Sequence, residues 1–392
     1  MTRPRLAYLC NAIDEATCLE RGITSDSPAA TEKVLQVASA LVNAGVRPII
    51  LSMGRGRQHG SWRWHRAKVR RTGRLVVLYA PFMDAPILTH IVTILFLLPL
   101  VWRLKCKSHA GSVLLAYNWL PYYLPALELA RQLGDRLFLD LEDGHVTDMP
   151  GVKGRVARAA SVRINELCKG GALLATSSLA TQYPGSRAMC CYGVAGFTDP
   201  ARPWSGKLRV LYGGTLQEDT GAGLFIDAVA QLRLRDDPSL EDLEIIVTGK
   251  GAMAQAIESI ASISGWPKVK FKGRLSRIAY RDTLRGAHVG LCLKLGSSDL
   301  GHTTFPSKVI EMASSGMLLL TTKVSDIPNL FQDDEALYLP VDTPKALADA
   351  LHWLLSNRGR AAEMASRGSA RIQSECALEQ VGQNLKSFFF PS

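Results

Sequence analysis

The chain has 392 residues, 47% hydrophobic and 21% charged, with a net charge of +11 and eight cysteines. That length allows two domains of ordinary size, and that balance excludes a disordered chain. The cysteines hold no CxxC pair and fall largely in apolar runs, which reads as reduced core thiols of a cytosolic protein, Cys190-Cys191 being strand packing.

Residues 6–10 (LAYLC) form the first apolar run. It is too short for a signal-peptide core and leads into a polar loop, so no secretory leader is expected. That loop, 11–29, is long enough to suggest function, and Ser27 with Pro28 makes a good start for a helix over 29–44. A strand is expected at 48–53. Residues 55–74 then carry eight Arg or Lys and no acid, with Trp62 and Trp64 interleaved. Such a stretch either attracts polyanions or is a solvated basic loop. After a strand at 75–80, residues 85–102 are nearly all apolar, though Thr89, His90, Thr93 and Pro99 interrupt them, and Arg103, Lys105 and Lys107 follow. The order of preference is a packed helix with one face touching lipid, then a fully buried helix, then a transmembrane one. The expected partner is an anionic membrane, met peripherally through 55–74 and 85–105 on its cytoplasmic face. Nucleic acid is not expected, because it explains the charge but not the loops described below.

A strand at 113–117 ends at Asn118, a helix is expected over 121–133, and a strand at 137–141 opens LFLDLEDGHVTD. Its end gathers Asp140, Glu142 and Asp143, with His145 and Asp148 behind. Carboxylates at such a strand end can orient an acceptor hydroxyl or take its proton; the alternative is a capping and turn cluster, since DGH is good turn chemistry. We take Glu142, Asp143, His145 and Asn118 as the candidate catalytic residues. A helix over 151–169 and a strand at 173–175 close the first series.

Residues 196–207 (GFTDPARPWSGK) have linker composition. Strands then restart at 208–212, 244–247, 269–271, 289–293, 317–320 and 337–339, with helices at 222–234, 251–263, 277–286, 307–315 and 344–356. Alternation of this kind implies an α/β fold with two doubly wound, Rossmann-like domains facing across a cleft. The expected division is 1–198, 199–370, and a segment 371–392 returning to the first domain. Ligands of such sheets sit beyond the carboxyl ends of the strands.

Four loops fall at those ends. Gly213-Gly214-Thr215 lets backbone N–H groups approach a phosphate, although many strand ends carry Gly-Gly simply to turn. Thr248-Gly249-Lys250-Gly251 offers Lys250 as a cation or as a surface lysine at a helix start. In Phe271-Lys272-Gly273-Arg274-Leu275 a nucleobase can lie against the backbone of Arg274 and Leu275. The fourth, TTFPSKVIEMASSG at 303–316, is the most informative. Ser307 is placed to cap a helix, Lys308 falls in the first turn beside unpaired N–H groups, and Glu311 follows on the same face. Those parts suit a diphosphate and a ribose.

In this order the loops resemble the donor domain of GT-B glycosyltransferases, in particular glycosyltransferase family 4, over residues 208 to about 356. The first half matches only by architecture and by pieces such as VLLAYN and LFLDLED. The resemblance implies a nucleotide diphosphate sugar as substrate, with no cofactor. Glu311 would hold the ribose, the helix start with Ser307 and Lys308 the diphosphate; Gly213, Gly214 and Thr215 would close over the phosphates, and Arg274 and Leu275 would border the base. Gly249 and Lys250 complete the donor set. Two departures stand out. Thr303 replaces the first glutamate of the family's E-x7-E motif, leaving Asp299, His302 and Thr303 as the stand-ins for sugar recognition, with Thr304 also in the donor set; and Gln217 to Thr220 hold no basic residue where many members have one.

The activity so implied is a hexosyltransferase-like, retaining transfer of sugar to a hydroxyl of a saccharide or lipid-linked acceptor, in cell-surface polysaccharide or glycoconjugate synthesis. No DxD pair is present, Asp236-Asp237 and Asp333-Asp334 being surface-like, so no metal is expected. Fixed N–H groups and cations would stabilise the leaving diphosphate, and domain closure would exclude water. The alternatives are a catalytically silent GT-B partner subunit and a nucleotide-sugar epimerase or hydrolase.

Overall fold

The computed structural model describes residues 3–23, 28–56, 60–106, 112–144, 151–195, 202–297 and 299–391. Two compact units emerge, Met1–Val194 with Leu378–Ser392, and Ala195–Ala377. Their boundaries fall at 194/195 and 377/378, against 198/199 and 370/371 from the sequence.

In the first unit, strands β1 (Arg5–Cys10), β2 (Arg47–Ser52), β3 (Trp64–His65), β4 (Lys68–Thr72), β5 (Leu75–Tyr79), β6 (Phe82–Met83), β7 (Val113–Tyr117), β8 (Arg136–Leu141), β9 (Gly171–Leu174) and β10 (Ala188–Cys190) alternate with helices α1 (Glu15–Arg21), α2 (Pro28–Asn43), α3 (Leu88–Cys106), α4 (Leu124–Gln132) and α5 (Gly151–Leu167). Eight strands form one sheet in the order β10-β9-β8-β7-β1-β2-β5-β4, parallel but for β4 against β5, while β3 and β6 pair separately. The central strands are continuous apolar runs because helices cover both faces. Tyr8, Leu41, Ile50, Phe138 and Leu173 meet in the core.

Two expectations change here and a third holds. The polar loop 11–29 contains α1, whose start Asp14 fixes by accepting from the Thr17 N–H at 2.8 Å. The basic segment is not simply a loop: β3 and β4 run through it, and Lys68 and Arg70 both pair with Glu20. Strand pairing at the sheet edge accounts for this, since β4 only needs β5 as a template. For α3 the packed helix with one exposed face, ranked first from the sequence, is the arrangement found, and the lower-ranked buried and membrane-spanning readings fall away. Leu97 and Val101 are buried while Leu88, Ile91, Leu95 and Trp102 are exposed. No helix among the described residues is long and apolar enough to cross a membrane. Among the described cysteines, Cys190 is exposed and Cys18 half-buried, the others lying in the core.

The second unit has six parallel strands, β11 (Leu208–Thr215), β12 (Leu243–Lys250), β13 (Lys268–Phe271), β14 (Val289–Cys292), β15 (Leu318–Thr321) and β16 (Leu337–Tyr338), in the order β13-β12-β11-β14-β15-β16. Helices α6 (Ala222–Arg233), α7 (Ala254–Ser262), α8 (Arg277–Gly286), α9 (Asp299–Thr303), α10 (Lys308–Ser314), α11 (Ile327–Leu330), α12 (Pro344–Ser356) and α13 (Arg358–Glu375) connect and cover them. Crossovers run from β11 to β12 and β13 on one side and to β14 on the other, so the strand order reverses between β11 and β14. That reversal opens a crevice at their carboxyl ends. Val210, Phe225, Ile245, Leu291 and Leu347 are buried in this unit's core.

A last helix, α14 (Leu378–Phe389), rejoins the first unit. Gly382 lies so close to the Ala40 carbonyl of α2 that a Cβ there would overlap it. Arg136 and Arg187 donate to the carbonyls of Phe389 and Phe388, closing the helix end.

Candidate functional site

In the second unit, β11 and β12 pair through Gly213–Thr248, Gly214–Gly249 and Thr215–Lys250, so two of the expected loops start side by side. The Gly249 N–H donates to the Gly273 carbonyl at 2.8 Å, which brings in the loop after β13. Two glycines are favoured here by conformation, and the second also by backbone space. Gly214 has φ +118°, and a Cβ on it would overlap the Lys308 amine. Gly249 has φ +133°, and a Cβ on it would overlap the Gly214 carbonyl oxygen. The loop that follows Gly214 bridges the two diverging strands. The Thr220 hydroxyl donates to the Thr215 carbonyl at 2.8 Å, and the Asp219 carbonyl accepts from the Leu295 N–H at 2.9 Å beyond β14.

The turn before α10 is already helical at Ser307, with φ −52° and ψ −21°, and the Ser307 side chain makes no cap. This corrects the expected capping role. A cap requires extended backbone at its own position, whereas here the Val309 N–H already bonds to the Pro306 carbonyl at 3.0 Å. The Ile310 N–H likewise bonds to the Ser307 carbonyl at 3.2 Å. Those two donors are spent inside the turn.

The Lys308 amine donates to the Gly213 carbonyl, directly beside Gly214. Burial lowers its pKa below the usual lysine value, with Cys292 and Glu311 acting the other way. Glu311 stands one turn on, and the Tyr280 hydroxyl donates to its Oε2 at 3.4 Å. Burial first, and Glu311 second, push the Tyr280 phenol well above its usual pKa, so it remains a donor. That hydroxyl also lies 3.5 Å from where a Cβ on Gly213 would stand. Gly213, Gly214, Tyr280, Lys308 and Glu311 therefore form one cluster at the carboxyl edge of β11.

Tyr280 was not among the residues expected from the sequence. The spacing from Ser276, which caps α8, puts Tyr280 on the inward face with Leu284, but nothing local says that its hydroxyl reaches Glu311. Lys294 was missed as well. It ends the buried run of β14 and donates to the Thr304 hydroxyl and, at 3.2 Å, to the Thr304 carbonyl. A charge terminating an apolar strand was its only signal. Of the other expected donor residues, Thr215, Lys250 and Arg274 are exposed, Leu275, Thr303 and Thr304 half-buried, and His302 exposed at the end of α9. The His302 ring lies 3.6 Å from the position of a Cβ on Gly296. Among the described residues no hydrogen bond or ion pair joins Lys250 or Arg274 to the Lys308 cluster.

In the first unit, Asn118 has the left-handed φ of +57°. Its Oδ1 accepts from the Glu142 N–H at 2.9 Å, and its Nδ2 is 3.4 Å from Asp143 Oδ2. Asn118 thus shapes the end of β8 and holds both expected acids. Glu142 is engaged by Lys33, which also stands 4.0 Å from Asp140. Asp140 is completely buried, accepts from the Tyr8 hydroxyl, and has its pKa raised by burial against the pull of Lys33 and Tyr8. Asp143 is the exposed member of the group. His145 and Asp148 lie outside the described residues, as does Ser27. An apolar pocket lined by Leu6, Ile49, Val101 and Leu104, among others, opens at the opposite, amino edge of this sheet and contains none of the candidate residues. Among the described residues no group of three or more His, Cys, Asp or Glu is placed to hold a metal ion.

Residues 225–387 match a family model described as glycosyl transferase-like. No curated protein sequence matches the chain. Solved structures match over nearly the full length. Sucrose-phosphate synthase from Thermosynechococcus elongatus shares 13% identity at a TM-score of 0.68, covering 99% of this chain and 98% of its own. Anabaena HepE, solved with UDP and glucose, shares 14% identity at a TM-score of 0.65, covering 99% of each chain. The UDP-forming α,α-trehalose-phosphate synthase from Burkholderia xenovorans, solved with glucose-6-phosphate, shares 13% at 0.66, covering 98% of this chain and 99% of its own. At these identities the likeness is one of fold. The family match and the fold together bear out the resemblance to GT-B glycosyltransferases read from the sequence.

Proposed function

We propose that the chain is a glycosyltransferase that takes a nucleotide diphosphate sugar on its second unit and an acceptor saccharide, free or lipid-linked, on its first. The observation that carries this reading is the meeting of Lys308, Gly213–Gly214, Tyr280 and Glu311 beside the reversal in strand order. Lys308, next to a glycine that leaves its backbone bare, suits a diphosphate. Glu311 can accept from both ribose hydroxyls, and Tyr280 fixes the carboxylate's orientation. Support also comes from the glycosyl transferase-like sequence of residues 225–387 and from a fold neighbour solved with UDP.

The reaction breaks the bond from the anomeric carbon to the diphosphate oxygen, whose electron pair stays on the diphosphate, and forms a bond to the acceptor oxygen. The acceptor proton goes to the departing phosphate or to a base. Charge builds on the diphosphate, where Lys308 and the glycine backbone stand ready without reorganising. Retention of configuration, kinship with family 4, metal independence and a role in surface polysaccharide or glycoconjugate synthesis belong to the same proposal. In the first unit, Asp143 is the exposed acid, Asn118 positions it, and Glu142 is held by Lys33 beside it in sequence. The apolar stripe of α3 and the exposed Arg63, Arg66, Arg71 and Arg74 suit an anionic lipid surface.

Titration of the full chain with nucleoside diphosphates and their sugar conjugates tests the donor reading. Binding should be lost or weakened in Glu311→Ala and in Lys308→Ala. Equal affinity in both variants overturns it and favours a silent partner subunit, for which Thr303 in place of a glutamate is the specific observation. Donor turnover that needs no acceptor would point instead to an epimerase or hydrolase.

A further inference from the structure

The first unit holds two buried arginines near the end of β2, and they are used differently. Arg21 is 5% exposed and its guanidinium is spent on backbone. Nη1 donates to the Gly54 carbonyl at 2.6 Å, and Nη2 to the carbonyls of Arg66 at 2.9 Å and Ala80 at 3.3 Å. It ties α1 to the strand ends and has little left to offer a ligand.

Arg55 is 8% exposed, yet among the described residues its guanidinium is only partly engaged. Its backbone is clamped by Asn11, whose Nδ2 donates to the Arg55 carbonyl at 2.8 Å and whose Oδ1 accepts from the Arg55 N–H at 3.4 Å. The guanidinium lies over the Tyr122 ring, 4.5 Å from its centroid, and Nη1 is 3.4 Å from His90 Nδ1. Among the described residues no carboxylate pairs with it. His90 cannot supply the missing negative charge, since an imidazole is either neutral or cationic; burial and then Arg55 itself lower its pKa. An arginine stays charged and offers five donors in a rigid fork. Nine-tenths buried without an acid, it is costly unless a ligand brings the anion.

The surroundings favour a ligand. Asn11 follows β1, Arg55 follows β2, His90 opens α3 and Tyr122 follows β7, so the loops of three neighbouring strands converge at the carboxyl edge of the sheet. The Tyr122 ring covers the guanidinium, and the Asn11 clamp fixes the backbone at its root.

We infer that Arg55 is the anion-binding group of the first unit and that the acceptor carries an oxyanion, a phosphate or a carboxylate, which it grips. This rests on the reading that the first unit takes the acceptor.

The test follows the Arg55 Nε–Hε signal by NMR in the full chain labelled with ¹⁵N-arginine, the signal being identified by its absence in Arg55→Lys. Methyl phosphate and acetate are the probes, with chloride at equal ionic strength as control. A saturable shift with methyl phosphate assigns a phosphorylated acceptor, one with acetate an acidic saccharide, and chloride should leave the signal in place. Arg55→Gln has no such signal, so it and the unmutated chain are titrated with the same probes by calorimetry; the variant should weaken the saturable binding at least about tenfold, the loss of a charged hydrogen-bonding group, while Lys308→Ala leaves the titration of the Arg55 signal unchanged. No saturable shift with either probe, an equal response to chloride, or undiminished binding in Arg55→Gln overturns the inference. Should Arg55→Gln fail to fold, the titration of the unmutated chain still decides. Failure of the donor reading would appear elsewhere, as absent nucleoside diphosphate binding with this titration intact.

Discussion

The Lys308 amine donates to the carbonyl oxygen of Gly213, joining the first turn of α10 to the end of β11 across 95 residues of chain. Gly214 lies against the same amine. Gly214→Ala would force a side chain into that contact at φ +118°. Strain of this kind costs about 1–3 kcal/mol and would displace the lysine. We expect nucleoside diphosphate affinity to fall by about tenfold or more, with a lower melting temperature. Unchanged affinity by calorimetry would remove Gly214 from the site.

Tyr280 reaches Glu311 at 3.4 Å from a separate helix. Tyr280→Phe keeps the ring and removes one hydrogen bond, which is worth about 0.5–1.5 kcal/mol. Affinity for a nucleoside diphosphate should drop two- to tenfold or so, while affinity for inorganic pyrophosphate stays put, because the carboxylate is assigned to the ribose. A parallel loss for both ligands would mean that Tyr280 acts on the diphosphate instead.

Burial depresses the Lys308 pKa below its ordinary 10.5. The folded chain therefore releases this proton at lower pH than the unfolded chain, and in the window between the two values stability rises with pH. A bound diphosphate draws the pKa back up. Nucleoside diphosphate binding should take up a proton within that window and weaken as pH climbs through it. Calorimetry in two buffers of different ionisation heat reads the uptake directly; Lys308→Met should abolish it. A proton count of zero across the window, in the unmutated chain, contradicts the assignment.

Lys33 serves two acids, Glu142 by direct pairing and the buried Asp140 at 4.0 Å. Breaking a buried pair by removing one partner costs about 3–5 kcal/mol. Lys33→Met should therefore destabilise the first unit strongly in urea at neutral pH, and Asp140→Asn in the same chain should restore part of the loss. Because burial raises the Asp140 pKa above its usual 3.8, the native chain keeps a proton that the unfolded one gives up. This contribution is present below 3.8 and is lost as pH rises through the folded value, so the Lys33→Met defect should shrink in acid. A loss under about 1 kcal/mol at neutral pH would show that the cluster is solvated.

On α3, Leu95 is 64% and Trp102 53% exposed. The double variant Leu95→Ser, Trp102→Ser should reduce sedimentation with vesicles containing anionic lipid, and added salt should reduce it for the parent chain. Absence of salt-sensitive binding in the parent would end the membrane proposal.

Strand ends were legible because each is a local pattern, an apolar run stopped by glycine, as at Gly213-Gly214 and Thr248-Gly249. Ser307 misled for a related reason. Its identity and its neighbour Pro306 suit a cap, but the dihedral that makes a cap is set by how the turn packs, and here it is helical. Helix α1 was unreadable in a polar loop because Asp14 gains its hold on Thr17 together with a bond from the Tyr79 hydroxyl, a residue 65 positions away.

Composition and periodicity alone settled that this chain builds two series of parallel strands, and they marked Lys308 and Glu311 on one helical face, since both follow from repeats of two and 3.6 residues along the chain. Only folding in three dimensions decided that Gly213, Tyr280 and Lys308 share one corner, that Lys33 binds Glu142, and that Arg55 is buried with no acid beside it among the described residues. Those are distances between residues far apart in sequence, and they depend on strand order, on which no local pattern bears.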